Sequence, residues 1–176
     1  EDDAVFGFKL FRAVSKLPKE FMGVKLQKES VFGNSGKGVS TIKDFYSFYT
    51  GTGKAPETNS EWLSIPDFYL AEATNGKVFY DPLGKFTEIR NKLLNMPEDV
   101  RIKKLASNIF NMAQSGQYNY PRIINRGETA SAQLALFEFS NAAMKCYFLL
   151  NGKYLPYYKW QFRALRELPN GEFFAD

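Results

Sequence analysis

Three polar side chains follow one narrow strip of the most apolar helix that the sequence predicts, at about residues 128–150. Glu138, Asn141 and Lys145 are spaced i, i+3 and i+7, which places them on the same side of a helix that is otherwise nearly all apolar. A charge in such surroundings is costly unless it has a partner. The strip either lines a cleft, where Glu138 orients or deprotonates a substrate group, or is a structural ion pair or a solvent-facing strip.

Cationic side chains gather at two further places. In the last predicted helix, at about residues 157–168, Lys159, Arg163 and Arg166 share a face at i, i+4 and i+7. Three such cations repel one another unless an anion lies among them, although a solvated surface explains the same pattern. Arg122 and Arg126 flank the start of the long helix, whose free N–H groups can help to bind a phosphate.

Charge is unevenly distributed along the chain. Residues 101–166 contain ten Lys and Arg but two Glu, a net charge of +8, and the whole chain carries +4, which leaves −4 for the remainder. A basic half beside an acidic remainder predicts an anionic ligand such as a nucleotide, a phosphorylated metabolite or RNA.

The segment at residues 114–122 is rich in hydrogen-bonding groups. Gly116 and Pro121 predict the end of a helix there, and the residues between them predict a loop. Tyr and Asn carry polar heads on rigid or short stems, which suits a loop that shapes a polar pocket. The alternative is a loop whose tyrosines close the end of a helical bundle. The loop contains Gln117, Tyr118, Asn119 and Tyr120.

Several kinds of site are excluded by composition. The chain has no histidine and one cysteine, Cys146, so a Ser-His-Asp site, a histidine-dependent ribonuclease, the usual zinc sites and an internal disulfide are all ruled out. A glycine-rich stretch at residues 33–38 lacks the spacing of a phosphate-binding loop. The free thiol and the charges that interrupt each apolar run predict a cytoplasmic protein with no membrane contact.

The apolar pattern predicts an α+β fold that is mostly α. Short apolar runs at residues 5–11 and 38–42 predict strands of a small α/β unit, and GTGKAPETNS at 51–60 predicts a linker. Amphipathic helices are predicted at residues 66–74, 86–94 and 97–113, followed by the two already described. The predicted domains are therefore 1–60 and an antiparallel helical bundle at 61–176.

The polar segments also carry a resemblance to a known family. QSGQYNYPR at 114–122, LLN at 149–151 and PYYKW at 156–160 resemble domain of unknown function family 4037, a helical domain associated with nucleotidyltransferase-like folds. The similarity is densest at residues 62–169. It extends more thinly to LPKEFMG at 17–23 and DFY at 44–46, which look similar to the nucleotidyltransferase portion.

The resemblance implies that the chain combines the trailing part of a nucleotidyltransferase-like α/β domain with a complete helical domain. Such folds transfer a nucleotidyl group from a nucleoside triphosphate by means of Mg²⁺ held by a carboxylate pair. By position, Glu1 and Asp3, with Asp2 as an alternative, match that pair, and we assign Asp2 and Asp3 to the metal. The Gly-Ser element that precedes the pair in such folds is not in this chain, so we expect the 176 residues to be inactive by themselves.

The predicted function is to bind the acceptor substrate of a Mg²⁺-dependent nucleotidyl transfer. Glu138 is the candidate catalytic base or orienting group. The alternative function is a non-catalytic module that binds RNA or a protein through the basic helical face. The candidate substrate-binding residues are Lys104, Arg122, Lys159 and Arg163 for phosphate, and Gln114, Gln117, Tyr118, Asn119, Asn141 and Tyr158 for the rest of the pocket.

Overall fold

The computed structural model describes residues 2–18, 20–25 and 38–175, and helices make up 68% of this part. The chain divides into two compact units, Glu1–Phe45 and Tyr46–Asp176, and the boundary between them falls inside a helix. The elements in chain order are α1 (Asp2–Ser15), β1 (Glu20–Phe21), β2 (Val24–Lys25), α2 (Ile42–Thr50), α3 (Asn59–Ser64), α4 (Asp67–Thr74), α5 (Lys85–Leu94), α6 (Glu98–Met112), a π-helix (Ala113–Asn119), α7 (Tyr120–Ile124), α8 (Thr129–Leu150), a 3₁₀ turn (Tyr158–Trp160), α9 (Gln161–Arg166) and α10 (Gly171–Ala175).

The predicted α+β class is wrong, because the described part of the chain is essentially all helical and shows no nucleotidyltransferase-like α/β segment. The strands within the described ranges are β1 and β2, a two-residue antiparallel pair in which Glu20 lies opposite Lys25. Residues 5–11, predicted as a strand, lie in α1. Glu1 and residues 33–37 lie outside the described residues, and the predicted boundary after residue 60 stays a prediction.

Local side-chain interactions explain why the two predicted strands are not formed. In α1, the Arg12 guanidinium lies 5.1 Å from the centre of the Phe8 ring, one turn earlier, and a basic residue in the last turn suits the helix dipole. Residues 38–41 instead lie directly before α2, which begins at Ile42. The Thr41 hydroxyl oxygen accepts a 3.0 Å hydrogen bond from the N–H of Asp44, which is the usual way to cap a helix.

Helices α6 and α8 form a hairpin whose inner seam is built from small and apolar side chains. Along α8 five of the buried residues follow one another at intervals of three, seven, four and three, the spacing expected where two helices pack side by side. Burial among them raises the pKa of the Cys146 thiol. No helix within the described ranges is both long and apolar enough to span a membrane. The buried residues of α8 include Ala132, Ala135, Ala142, Cys146 and Leu149.

Charged side chains fix the connection between α4 and α5. The Arg90 guanidinium donates hydrogen bonds to the carbonyl oxygens of Thr74 and Gly76, and so satisfies the end of α4. The Asp81 carboxylate accepts hydrogen bonds from the N–H and the hydroxyl of Thr87, at 2.8 and 2.7 Å, and these bonds hold the pKa of Asp81 below its usual value. Arg90 and Asp81 therefore have a structural role in this connection.

Tyr46 makes the stability of the larger unit sensitive to pH in the alkaline range. Its side chain is fully buried, its hydroxyl donates a 2.9 Å hydrogen bond to the carbonyl of Phe86, and burial raises its pKa from 10.0 to about 12. Because the folded pKa is raised, this contribution to stability is complete below pH 10 and is lost as the pH rises toward 12.

We expect Tyr46→Phe to lower the free energy of unfolding by about 1–3 kcal/mol near neutral pH, because the buried hydrogen bond from the Tyr46 hydroxyl to the Phe86 carbonyl is lost. The deficit relative to the wild-type chain should then narrow between pH 10 and pH 12, since the variant has no phenol at this position to ionise. Urea unfolding followed by circular dichroism at both pH values measures the two deficits. A deficit that stays constant with pH would contradict this account.

Candidate functional site

An open cleft of about 690 Å³ lies within the Tyr46–Asp176 unit. It is bounded by the C-terminal ends of α4, α5 and α8, by the chain between α8 and the 3₁₀ turn, and by α9. A volume of this size accommodates a small ligand. The lining residues are Ala71, Glu72, Thr74, Asn75, Leu94, Phe148, Gly152, Lys153, Tyr154, Pro156, Tyr157, Trp160, Arg163, Ala164, Glu167 and Leu168.

One wall of this cleft is a single helical face. Its residues occupy positions i, i+3, i+4, i+7 and i+8, starting at Trp160, so they share one side of α9 and its flanking turns. Leu165 of α9 is buried in an apolar cluster with Phe148 and Leu155, against which Ala164 and Leu168 also pack. Packing of Leu165 therefore fixes which face α9 presents to the cleft. The five residues of the wall are Trp160, Arg163, Ala164, Glu167 and Leu168.

The charged groups of the cleft are balanced. Lys153 and Arg163 contribute two cations, and Glu72 and Glu167 contribute two carboxylates. Within the described residues, none of these four side chains has an ion pair or a side-chain hydrogen bond, although Glu72 lies close enough to Tyr49 to help raise the pKa of that phenol, after the larger effect of burial. All four remain available to a ligand.

Aromatic rings form the second feature of the cleft. The Tyr154 hydroxyl donates a hydrogen bond to the Leu93 carbonyl, and burial raises the Tyr154 pKa, so its ring is held in place. Tyr157 is anchored by the Phe68 ring, with the centroids 5.9 Å apart. Trp160 is 50% exposed and has the Arg163 guanidinium 6.0 Å from its ring centre. Rigid rings beside polar groups can stack a planar or ring-shaped ligand while the charges orient it.

Three predicted residues lie at or beside this cleft. Arg163 lines it, whereas Tyr158 and Lys159 are exposed on the adjoining 3₁₀ turn and are not among its lining residues. The Lys159 ammonium lies 5.8 Å from the ring centres of both Tyr157 and Trp160, which do line the cleft. A ligand that extends beyond the cleft over Trp160 therefore meets a second cation.

Lys104 has a different environment from the one predicted. Its ammonium lies 2.6 Å from the Asp67 carboxylate at the start of α4, and the two side chains are only 11% and 14% exposed. This buried ion pair joins α6 to α4. Because the ammonium is already paired and shielded from solvent, it is not available to bind phosphate.

The predicted loop at residues 114–122 is helical and continues α6. Residues 113–119 form a π-helix, a rare conformation that often marks functional sites, and α7 follows without a break. The Arg122 guanidinium lies 4.3 Å from the centre of the Tyr118 ring. Gln114, Gln117 and Tyr118 are exposed and Asn119 is partly buried, but neither these four nor Arg122 lines the cleft.

Gly116, in the middle of the π-helix, lies close to a side chain of α8. A Cβ atom added there would lie 2.6 Å from a ring carbon of Phe139 on α8. The glycine therefore permits close approach of the π-helix to α8. The sequence pattern predicts that Gly116 ends a helix, and this prediction is wrong because the chain stays helical through residue 124.

The polar strip of α8 is also separate from the cleft. Glu138 is exposed, and Asn141 and Lys145 are partly buried, so the carboxylate of Glu138 needs no buried partner. None of the three lines this cleft or the smaller 160 Å³ cleft beside Arg101. Their roles in catalysis and substrate binding stay predictions.

The predicted metal ligands Asp2 and Asp3 lie at the start of α1, in the smaller unit. Within the described ranges, no group of three or more Asp, Glu or Cys side chains is arranged to hold a metal ion. The assignment of Asp2 and Asp3 to the metal rests on the resemblance and stays a prediction.

The sequence pattern missed most of the residues that line the cleft. Glu72, Lys153 and Glu167 are not among the predicted site residues, and neither is Trp160. The spacing from Trp160 to Leu168 contained a usable signal, because one helical face there carries a tryptophan and two opposite charges. Nothing in the local sequence around Glu72 indicates that the end of α4 faces the cleft.

Comparison with known proteins gives one result. No curated protein and no solved structure shows significant similarity to the chain. The model of the family described as "Domain of unknown function (DUF4037)" matches residues 62–161, more than half of the chain. This range contains Glu72, Lys153 and Trp160, while Arg163 and Glu167 follow within six residues of its end. The chain therefore belongs to the DUF4037 family.

Proposed function

We propose that the Tyr46–Asp176 unit is a substrate-binding domain and that its ligand occupies the cleft between α4 and α9. The observation that carries this proposal is a set of four charged side chains beside the rings of Tyr154, Tyr157 and Trp160. None of the four has an ion pair or a side-chain hydrogen bond within the described part of the chain. Charged groups that serve only solubility have no reason to converge on a concave, partly apolar surface.

The reaction class that we propose is nucleotidyl transfer, and the ligand of the cleft is its acceptor. An acceptor in such a reaction carries a hydroxyl or amine, which can donate a hydrogen bond to Glu72 or Glu167. Arg163 and Lys153 can hold an electronegative group of the same molecule. The nucleoside triphosphate and Mg²⁺ belong to this proposal through the family resemblance, and we assign no residue of the cleft to them.

Trp160 provides a direct readout of ligand binding. The chain has two tryptophans, and Trp62 is only 4% exposed whereas Trp160 is 50% exposed, so a water-soluble quencher such as acrylamide reaches Trp160 selectively. We expect at least one class of small ring compound, from a panel of sugars, nucleosides and amino acids, to protect Trp160 from quenching. Arg163→Gln should weaken that binding about tenfold, because it removes a charge-assisted hydrogen bond.

Arg126→Gln is the matched control, since Arg126 is exposed and does not line the cleft. It should leave the affinity unchanged. The proposal fails if no compound in the panel protects Trp160, or if the two arginine variants weaken binding equally.

The alternative function, binding of RNA through the basic helical face, is separated by the salt dependence of binding. A single-stranded RNA that contacts several phosphates should lose affinity steeply as salt rises, and Arg122 and Arg126 should matter as much as Arg163. Binding of one small ligand in the cleft should depend only weakly on salt.

A further inference from the structure

The balance of charges in the cleft restricts the chemical class of the acceptor. Two carboxylates and two cations line one small volume, and all four are without an ion pair in the described part of the chain. A polyanion placed there meets Glu72 and Glu167, and a polycation meets Lys153 and Arg163. All four side chains are exposed, but like charges brought together still repel one another, so either kind of ligand faces two charges of its own sign.

A ligand with many hydroxyl groups satisfies all four side chains at once. Each hydroxyl provides one donor and two acceptor sites, so a ring with several hydroxyls can donate to the carboxylates while it accepts from Lys153 and Arg163. A zwitterion, in contrast, pairs with one cation and one carboxylate and leaves the other two without partners. Hydrogen bonds to charged groups are the stronger kind, so a ligand that contacts all four side chains gains more than one that contacts two.

The aromatic wall supports the same class. The Trp160 ring already has two cations near its centre, Lys159 at 5.8 Å and Arg163 at 6.0 Å, so an ammonium group of a ligand would be repelled there. The C–H face of a sugar ring carries no charge and can pack against Trp160 and Tyr157.

We infer that the acceptor is an uncharged, polyhydroxylated ring compound, that is, a sugar or a sugar-like alcohol, held by Arg163 and Glu167 on the α9 wall and by Glu72 and Lys153 elsewhere in the cleft. This inference rests on the proposed function and names the substrate class of the same cleft. The hydroxyl group that the ligand requires for binding is also the group that a nucleotidyl transfer would modify.

Three compounds with the same ring but different charge test this inference: methyl glucoside, which is neutral, glucose 6-phosphate, which is anionic, and glucosamine, which is cationic. Binding to the full chain is measured by protection of Trp160 from acrylamide and by isothermal titration. We expect methyl glucoside to bind most tightly, with an affinity that changes little with salt. Glu167→Gln should weaken its binding about tenfold, because a hydrogen bond to a charged group is lost.

The same variant should strengthen the binding of glucose 6-phosphate, since one repulsive carboxylate is removed. Glu128→Gln, at an exposed position outside the cleft, is the matched control and should change neither affinity. Tightest binding of glucose 6-phosphate or glucosamine would overturn the inference but leave the cleft as the ligand site. Binding of a nucleoside or an amino acid, with no binding of any of the three sugars, would likewise overturn the inference and leave the cleft as the ligand site. If nothing binds in the cleft, the proposed function fails with it.

Discussion

Replacement of Asp67 by alanine is expected to lower the free energy of unfolding of the larger unit by about 3–5 kcal/mol. The change leaves the buried Lys104 ammonium without a counter-ion, because that ammonium lies 2.6 Å from the Asp67 carboxylate and otherwise has only a 3.4 Å hydrogen bond to the Ile65 carbonyl. Urea unfolding monitored by circular dichroism measures the loss.

Two control variants separate the ion pair from general effects of mutation. Glu57→Ala breaks the exposed Lys54–Glu57 pair, whose side chains are 56% and 68% exposed, and should cost less than about 1 kcal/mol. The double variant Asp67→Leu, Lys104→Met removes both buried charges and should recover most of the stability. Equal, small losses for Asp67→Ala and Glu57→Ala would show that Lys104 finds solvent or another partner.

Gly116→Ala is expected to destabilise the α6–α8 hairpin by about 1–3 kcal/mol, because the added methyl group overlaps the Phe139 ring. The sign is diagnostic, since alanine in place of glycine inside a helix normally stabilises by up to about 1 kcal/mol. Gly7 in α1 is the matched control, as nothing lies within 4 Å of a Cβ added there, and Gly7→Ala should not destabilise its helix.

A double-mutant cycle with Phe139→Leu locates the cause of the Gly116→Ala effect. If the overlap with the ring is responsible, the smaller leucine side chain makes room and the double variant should lose less stability than the two single losses combined. Simple additivity of the two losses would place the cause elsewhere, and the close approach at Gly116 would have no energetic consequence.

The long helices of the larger unit were predictable because their signals are local. Proline before α4 and α6, acidic residues in their first turns and a regular apolar stripe identify these helices to within one or two residues. The apolar run of α8 similarly predicts a helix at 128–150, and the structure has Thr129–Leu150. The strand predictions failed because a short apolar run does not distinguish a strand from a helix.

The features that require two elements at once could not be predicted. Gly116 has the same local appearance as a helix terminator, and only the position of Phe139 on another helix reveals its use. Lys104 looks like a surface cation until the folded chain places Asp67, at the start of α4, beside it. The cleft could not be predicted for the same reason. Glu72 and Arg163 are separated by most of the unit in sequence, and only the folded chain brings both to the lining of one cleft.

The position of Cys146 provides a chemical probe of local opening around α8. The thiol is buried on this helix, and the chain contains no other cysteine. A reagent that modifies thiols must wait until the packing around α8 opens, so the rate of labelling at this single atom records the local opening equilibrium. Opening of the packing around α8 can thus be followed chemically in the unmodified chain, without an engineered probe.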